Sequence, residues 1–184
     1  MKILTGIVLL FVSQACAQIR ERSVHSLPSF INESSGLESC GYGKLITVND
    51  SGGEPVLYLI SQEGEFLDTI RIPNATNRDW EDLAINEQGD LFIGDIGNNL
   101  NQRKDLIIYK VPDFCQKGVR VVQRITFHYE DQQAFPPDPS NQYFDAEGLI
   151  ATNDSLFIFT KNRTQPFDGE SRYYSLANKT GDHT

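Results

Sequence analysis

An all-β fold, a β-propeller of four-stranded antiparallel units, is predicted by three observations. An acidic phrase ending in leucine recurs as ESSGL at 33–37, DWEDL at 79–83 and DAEGL at 145–149. Each phrase is followed by a second apolar run (LITVNDSGG from Leu45, LFIGDIGNN from Leu91, LFIFTKNR from Leu156) and a third (VLYLIS, LIIYKVP, RYYSLA). The chain after the leader also has no amphipathic helix of ten residues. Strand meanders recurring at roughly 40–50 residues are the sequence mark of a propeller. A self-contained β-sandwich of about ten strands is the competing architecture.

The first residues read as an export signal. Lys2 gives a positive start, Ile3 to Val12 an apolar stretch, and Ala15-Cys16-Ala17 a small-residue cleavage site. The apolar stretch is shorter than the ~20 residues that span a bilayer. Domain boundaries follow: a signal peptide at 1–17 and a propeller domain at 18–184. The expected location is secreted or periplasmic. Acylation at Cys16 is the lesser alternative, because Ser13 stands where a lipidation site prefers an aliphatic residue.

Within the first copy, Ser61-Gln62-Glu63-Gly64 makes a hairpin turn into a fourth, outer strand, Phe66–Ile72. In the second copy Asn86–Gly89 joins 83–85 to 91–93, and the outer strand is 119–127. In the third, Asn153-Asp154 is the turn between 149–151 and 156–159. The leucines of the phrases are 46 residues apart from Leu37 to Leu83 and 66 from Leu83 to Leu149. The excess is a Pro-rich stretch at 128–143, read as a long loop. Three to four such units do not complete a ring of the usual size, so an incomplete propeller is expected, with residues 178–184 reading as a turn into a further strand.

The net charge of −9 argues against a nucleic-acid partner, because phosphate contacts need clustered Lys and Arg. No transmembrane segment is expected in the mature chain. Cys40 and Cys115 remain after the leader and either pair or stay as thiols.

In each unit strand one follows the acidic phrase, and meander geometry brings the start of strand one and the end of strand two to the same end. Glu33, Asp79, Glu81, Asp95, Asp145 and Glu147 therefore converge on one mouth, with Asn98 and Asn99 nearby. So many like charges need a hard cation, protonation, or the bases Lys161, Arg163 and Arg78. Oxygen-only donors without His or Cys favour Ca²⁺. The alternative is structural, with each acid bonding to backbone of the neighbouring unit. Asp82 should point to the opposite side of its strand from Glu81. Trp80 reads as an anchor between units.

NDSGG, DWEDLA, GDIGNN and FDAEGL, in that order, resemble a family of exported bacterial propellers described as phytase-like, or as having the esterase-like activity of phytase. A looser likeness is to lactonase-type propellers. The likeness runs from about Glu33 to Lys161. It implies a calcium-associated channel site and hydrolysis of phosphate or carboxylic esters or lactones. Carried over residue by residue, it implies metal ligation by Glu81, Asp95, Asn98, Asp145 and Glu147, with Glu81 and Glu147 as catalytic candidates. Lys161 and Arg163 are the expected holders of a small anionic or ester substrate. A non-catalytic binding propeller, using the 128–143 loop on a ligand or protein partner, is the second reading, and a fragment with no function of its own a third.

Overall fold

A computed structural model describes residues 25–183. Its architecture is all-β, in three sheets that follow one another along the chain. The signal peptide and the Cys16 alternative lie outside the described residues. None of the described helices is long and apolar enough to cross a membrane.

The first sheet is a plain meander of β1 (Ser34–Glu38), β2 (Lys44–Asn49), β3 (Val56–Ser61) and β4 (Phe66–Arg71), paired in that order. The turn into β4 has Gly64 at φ 82°, a conformation that costs glycine little. The second sheet runs β5 (Trp80–Ile85), β6 (Leu91–Asp95), β7 (Leu106–Val111) and β8 (Gln123–Phe127). Its outer strand starts four residues later than expected, because Phe114–Lys117 forms a short helix, α1, which ends at Gly118. The third sheet holds β9 (Asp145–Ala151), β10 (Ser155–Lys161) and β11 (Tyr173–Ala177).

Two details depart from expectation. The acidic phrases do not precede the first strand of each sheet but form its opening residues. The last strand, β12 (Gly181–His183), does not extend the third sheet. It pairs in parallel with β8, giving the second sheet a fifth strand. The described residues form no closed ring or barrel.

The sheets stack through their apolar faces. Ile46, Val48, Leu57 and Ile72 of the first meet Trp80, Leu83, Leu91 and Ile93 of the second. Phe92, Ile108 and Ile125 on the other face of the second meet Leu149, Leu156 and Ile158 of the third. The strict alternation in β6, with Leu91 and Ile93 facing one way and Phe92 the other, follows from the two-residue side-chain period. Burying each such side chain stabilises by roughly 1.5–3 kcal/mol. Trp80 has no exposure and donates its indole N–H to the Thr76 carbonyl at 2.8 Å, as an anchor between sheets should.

Cys40 and Cys115 form a disulfide linking the loop after β1 to α1. Its 75-residue separation corresponds in a chain-entropy model to about 4 kcal/mol of destabilisation of the unfolded chain. The first strands of the three sheets, β1, β5 and β9, lie side by side. That adjacency gathers the three acidic phrases at one end of the molecule.

Candidate functional site

Each of these first strands breaks register within its acidic phrase. The slip falls between Ser35 and Leu37 in β1, leaving out Gly36, and between Trp80 and Asp82 in β5, leaving out Glu81. In β9 it falls between Ala146 and Gly148, leaving out Glu147. A bulge frees one residue from the ladder and re-aims its side chain. In the second and third copies that residue is a glutamate. In the first it is Gly36 at φ 59°, where an added Cβ would stand 2.7 Å from the Leu83 nitrogen. The first copy thus uses its bulge for close approach of two sheets, and the other two use it to present an acid.

The presented acids fall into two trios. Carboxylate oxygens of Asp50, Asp79 and Glu81 lie within 4.8 Å of one another, and so do those of Glu81, Asp145 and Glu147. Glu81 belongs to both. It is only 6% exposed, and no described residue donates a hydrogen bond to its carboxylate. Gly97 forms the wall against it: a Cβ there would lie 2.3 Å from Glu81 Oε1 and 2.4 Å from Asp79 Oδ2. Gly97 also donates its N–H to the Asp79 carbonyl, at 3.1 Å, which pins the wall in place.

Electrostatics follow from this crowding. Burial, then the charges of Glu147, Asp50, Asp79 and Asp145, push the Glu81 carboxyl up to about 8. Burial and the charge of Asp50 push Asp79 up to about 6, with Arg103 opposing. Among the described residues no Lys or Arg is ion-paired with Asp50, Asp79 or Glu81.

The other trio is largely neutralised. Asp145, with no exposure, accepts from Arg163 Nε at 2.6 Å and from the Asn98 backbone N–H at 2.7 Å. Glu147 accepts from Lys161 Nζ at 2.8 Å and lies 3.4 Å from Arg163 Nη2. Arg163 also donates to Asn99 Oδ1.

Of the residues singled out from sequence, Glu81, Asp145 and Glu147 are brought together, and Lys161 and Arg163 stand beside them. Asp95 and Asn98 are close but otherwise engaged. Asp95 pairs with the buried Arg103 at 3.0 Å and accepts from the Asp79 N–H at 3.1 Å. Asn98 Oδ1 accepts from the N–H groups of Gln102 and Arg103 at 2.8 and 2.9 Å, and its Nδ2 donates to the Phe144 carbonyl. Its amide is a loop clamp. Glu33 is in neither trio; its carbonyl accepts from the Asp50 N–H at 2.8 Å. Asp50 takes its place among the acids, and its position in the NDSGG loop at the same mouth was the signal for it.

Arg78 does not neutralise the acids but pairs with Asp105. Arg103, which does neutralise one, carried no sequence signal. Its guanidinium spans the carbonyls of Asp95, Gly97 and Asp105, a role that exists only once the 95–105 loop is folded. Asp82 is in neither acid trio and accepts the Leu149 N–H of the third sheet at 2.8 Å. Glu38 accepts the Ile85 N–H of the second sheet in the same manner, at 3.2 Å. The structural use of acids between sheets therefore applies to Asp82 and Glu38, and through the Asn98 N–H to Asp145 as well. No protein-family model and no curated protein matches this sequence.

Proposed function

We propose that the three sheets are blades of a β-propeller and that its acid-lined mouth holds a hard divalent cation, Ca²⁺, for the hydrolysis of small phosphate or carboxylic esters or lactones outside the cytoplasm. The observation that carries this reading is Glu81: a buried carboxylate without a donor, shared by two acid trios of which only one has its own bases. Asp50, Asp79 and Glu81 fit the ion in chemistry, being oxygen donors only, with no His or Cys among them. The missing side chain at Gly97 fits as well, since it leaves Asp79 and Glu81 free to face one another. The disulfide supports an oxidising compartment.

Ca²⁺ held there would polarise a substrate oxygen and acidify a water. The remaining work falls to the chain. Asp50, Asp79 and Glu81 would hold the ion, in the room that the missing side chain at Gly97 leaves to Asp79 and Glu81. Glu147, at the edge of the same cluster and held by Lys161 and Arg163, would take the proton of an attacking water as general base. Asp145 keeps Arg163 in position.

Two measurements test the reading. Melting with Ca²⁺ or with chelator reports the ion. Turnover of generic phosphate, ester and lactone substrates, with and without Ca²⁺, reports the chemistry. Activity no greater than that of a Glu81→Ala/Glu147→Ala control would remove the hydrolase. One observation favours a non-catalytic binding propeller: a cleft of about 500 Å³ runs along the 128–143 loop, where Arg172 lies 3.9 Å over the Tyr143 ring. Ligand capture that survives the Glu81→Ala/Glu147→Ala control and fails in Arg172→Ala would select it.

A further inference from the structure

We infer that the cleft beside Asp79 receives an oxyanion of the substrate, phosphoryl or carboxylate, and that Arg78 is the residue that binds it. The cleft measures about 250 Å³ and is lined by Arg78, Asp79, Asn99, Leu100, Gln102 and Arg103. That is just under the roughly 300–1,000 Å³ of a pocket for a whole drug-sized ligand, and suits one terminal group. Asp79 is common to the cleft and to the first acid trio.

Three arginines stand near the cluster, and what each would lose by turning to a ligand separates them. Arg163 pairs with Asp145, which is fully buried. Its release would leave a buried charge unpaired, at about 3–5 kcal/mol. Arg103 is 7% exposed and tied to Asp95 and three carbonyls, so its release costs at least as much in kind. Among the described residues Arg78 pairs only with Asp105, and the two side chains are 57% and 55% exposed. Such a pair is worth about 0–1 kcal/mol. Asp105 also lies 3.4 Å from Arg103 Nε, so it keeps a cationic partner if Arg78 turns away. The guanidinium fork matches both carboxylate and phosphoryl geometry.

The binding of anions, expected from sequence at Lys161 and Arg163, is in this inference drawn to Arg78. Arg163 is committed to the buried Asp145, and Lys161, though half exposed and weakly held by Glu147, does not line this cleft, whereas Arg78 both lines it and can be surrendered cheaply. An oxyanion beside a bare Asp79 would be repelled, so this inference rests on the cation reading: the anion is bound between Arg78 and an ion held by Asp79 and Glu81.

The test is calorimetry in two stages. Ca²⁺ alone is titrated into wild type, Arg78→Ala, Arg78→Lys and Lys117→Ala, the last removing an equal charge at an exposed site away from the cleft. Inorganic phosphate and, separately, acetate are then titrated into the Ca²⁺-loaded proteins. Expected are equal Ca²⁺ affinities throughout, and oxyanion binding that weakens at least tenfold in Arg78→Ala, partly recovers in Arg78→Lys and is unchanged in Lys117→Ala. Preference between phosphate and acetate identifies the anion's source. Equal oxyanion affinity in Arg78→Ala and wild type, or no oxyanion binding by a wild type that binds Ca²⁺, overturns the assignment. Absence of Ca²⁺ binding in the first stage overturns the cation reading and this inference with it, and is visible before any anion is added.

Discussion

The two acid trios share Glu81, arise at equivalent places in successive sheets, and are held in opposite ways. On the Asp145/Glu147 side, Arg163 and Lys161 lie at 2.6 and 2.8 Å, so the negative charge is balanced within the chain. On the Asp50/Asp79 side no described base is ion-paired, and burial, with the crowded charges adding to it, pushes the Asp79 carboxyl up to about 6 and that of Glu81 up to about 8. The same residue type in the same bulge is thus a solved electrostatic problem in one sheet and an open one in its neighbour. The difference comes from the third copy, which carries bases at 161 and 163 where the second carries Ile96 and Asn98. On the proposed reading, a bound cation completes the open side.

The comparison can be broken most sharply at Arg163. Arg163→Ala leaves Asp145 buried and without its base, and should cost about 3–5 kcal/mol in urea denaturation. A loss below 1 kcal/mol would mean that the neutralised side is not held by this pair. Next in size is the open side's response to its ion. At a hundredfold excess over its dissociation constant, Ca²⁺ should stabilise the wild type by about 2.7 kcal/mol. Asp50→Asn and Glu81→Gln should remove most of that gain. Gly97→Ala should do so as well, because its Cβ would occupy the space that the two carboxylates share. A melting temperature that ignores both Ca²⁺ and chelator would assign the trio to structure alone.

The pH dependence of the metal-free protein comes third. Folding raises Glu81 from 4.5 to about 8, so the folded state holds the proton more tightly than the unfolded chain. The stability from this proton is fully present below about pH 4.5 and is lost as pH rises through about 8. The slope is at most ~1.4 kcal/mol per pH unit while this group alone titrates. Asp79 adds to the loss between 3.8 and about 6. Denaturation midpoints across this window should fall with pH in the wild type and flatten in Glu81→Gln. Saturating Ca²⁺ should also flatten or reverse the trend, since it favours the ionised trio. The smallest effect is expected at Lys161, which is half exposed: Lys161→Ala should cost no more than about 1 kcal/mol and weaken further as salt is raised.

Much of the fold was legible because its signals are local. The turn at 61–64 needs a glycine at positive φ, and Gly64 supplies it. The alternation of Leu91, Phe92 and Ile93 marks a strand buried on both faces, whatever lies against it. What was not legible is contact between sheets. From sequence, Glu33 and Asp95 count among the acids at one mouth, and Asp50, in a loop at that mouth, does not. Only the folded loops decide that Asp50 joins the cluster, that Glu33 is represented by its backbone, and that Asp95 is taken by Arg103.

By itself, the repeated phrase determined that this chain is built of strand meanders and that its three acid-bearing segments meet at one end. Side-chain period, turn chemistry and antiparallel pairing are sufficient for that, because each acts within a few residues or between consecutive strands. The tertiary structure alone decided which acids are neutralised, through bulges that release Glu81 and Glu147 from the ladder and through bases that arrive from 14–18 residues further along the chain or from another loop. The physical reason is range. Hydrophobic patterning is written along the strand, whereas the charge state of a buried carboxylate depends on every group within a few ångströms, from whichever sheet it comes.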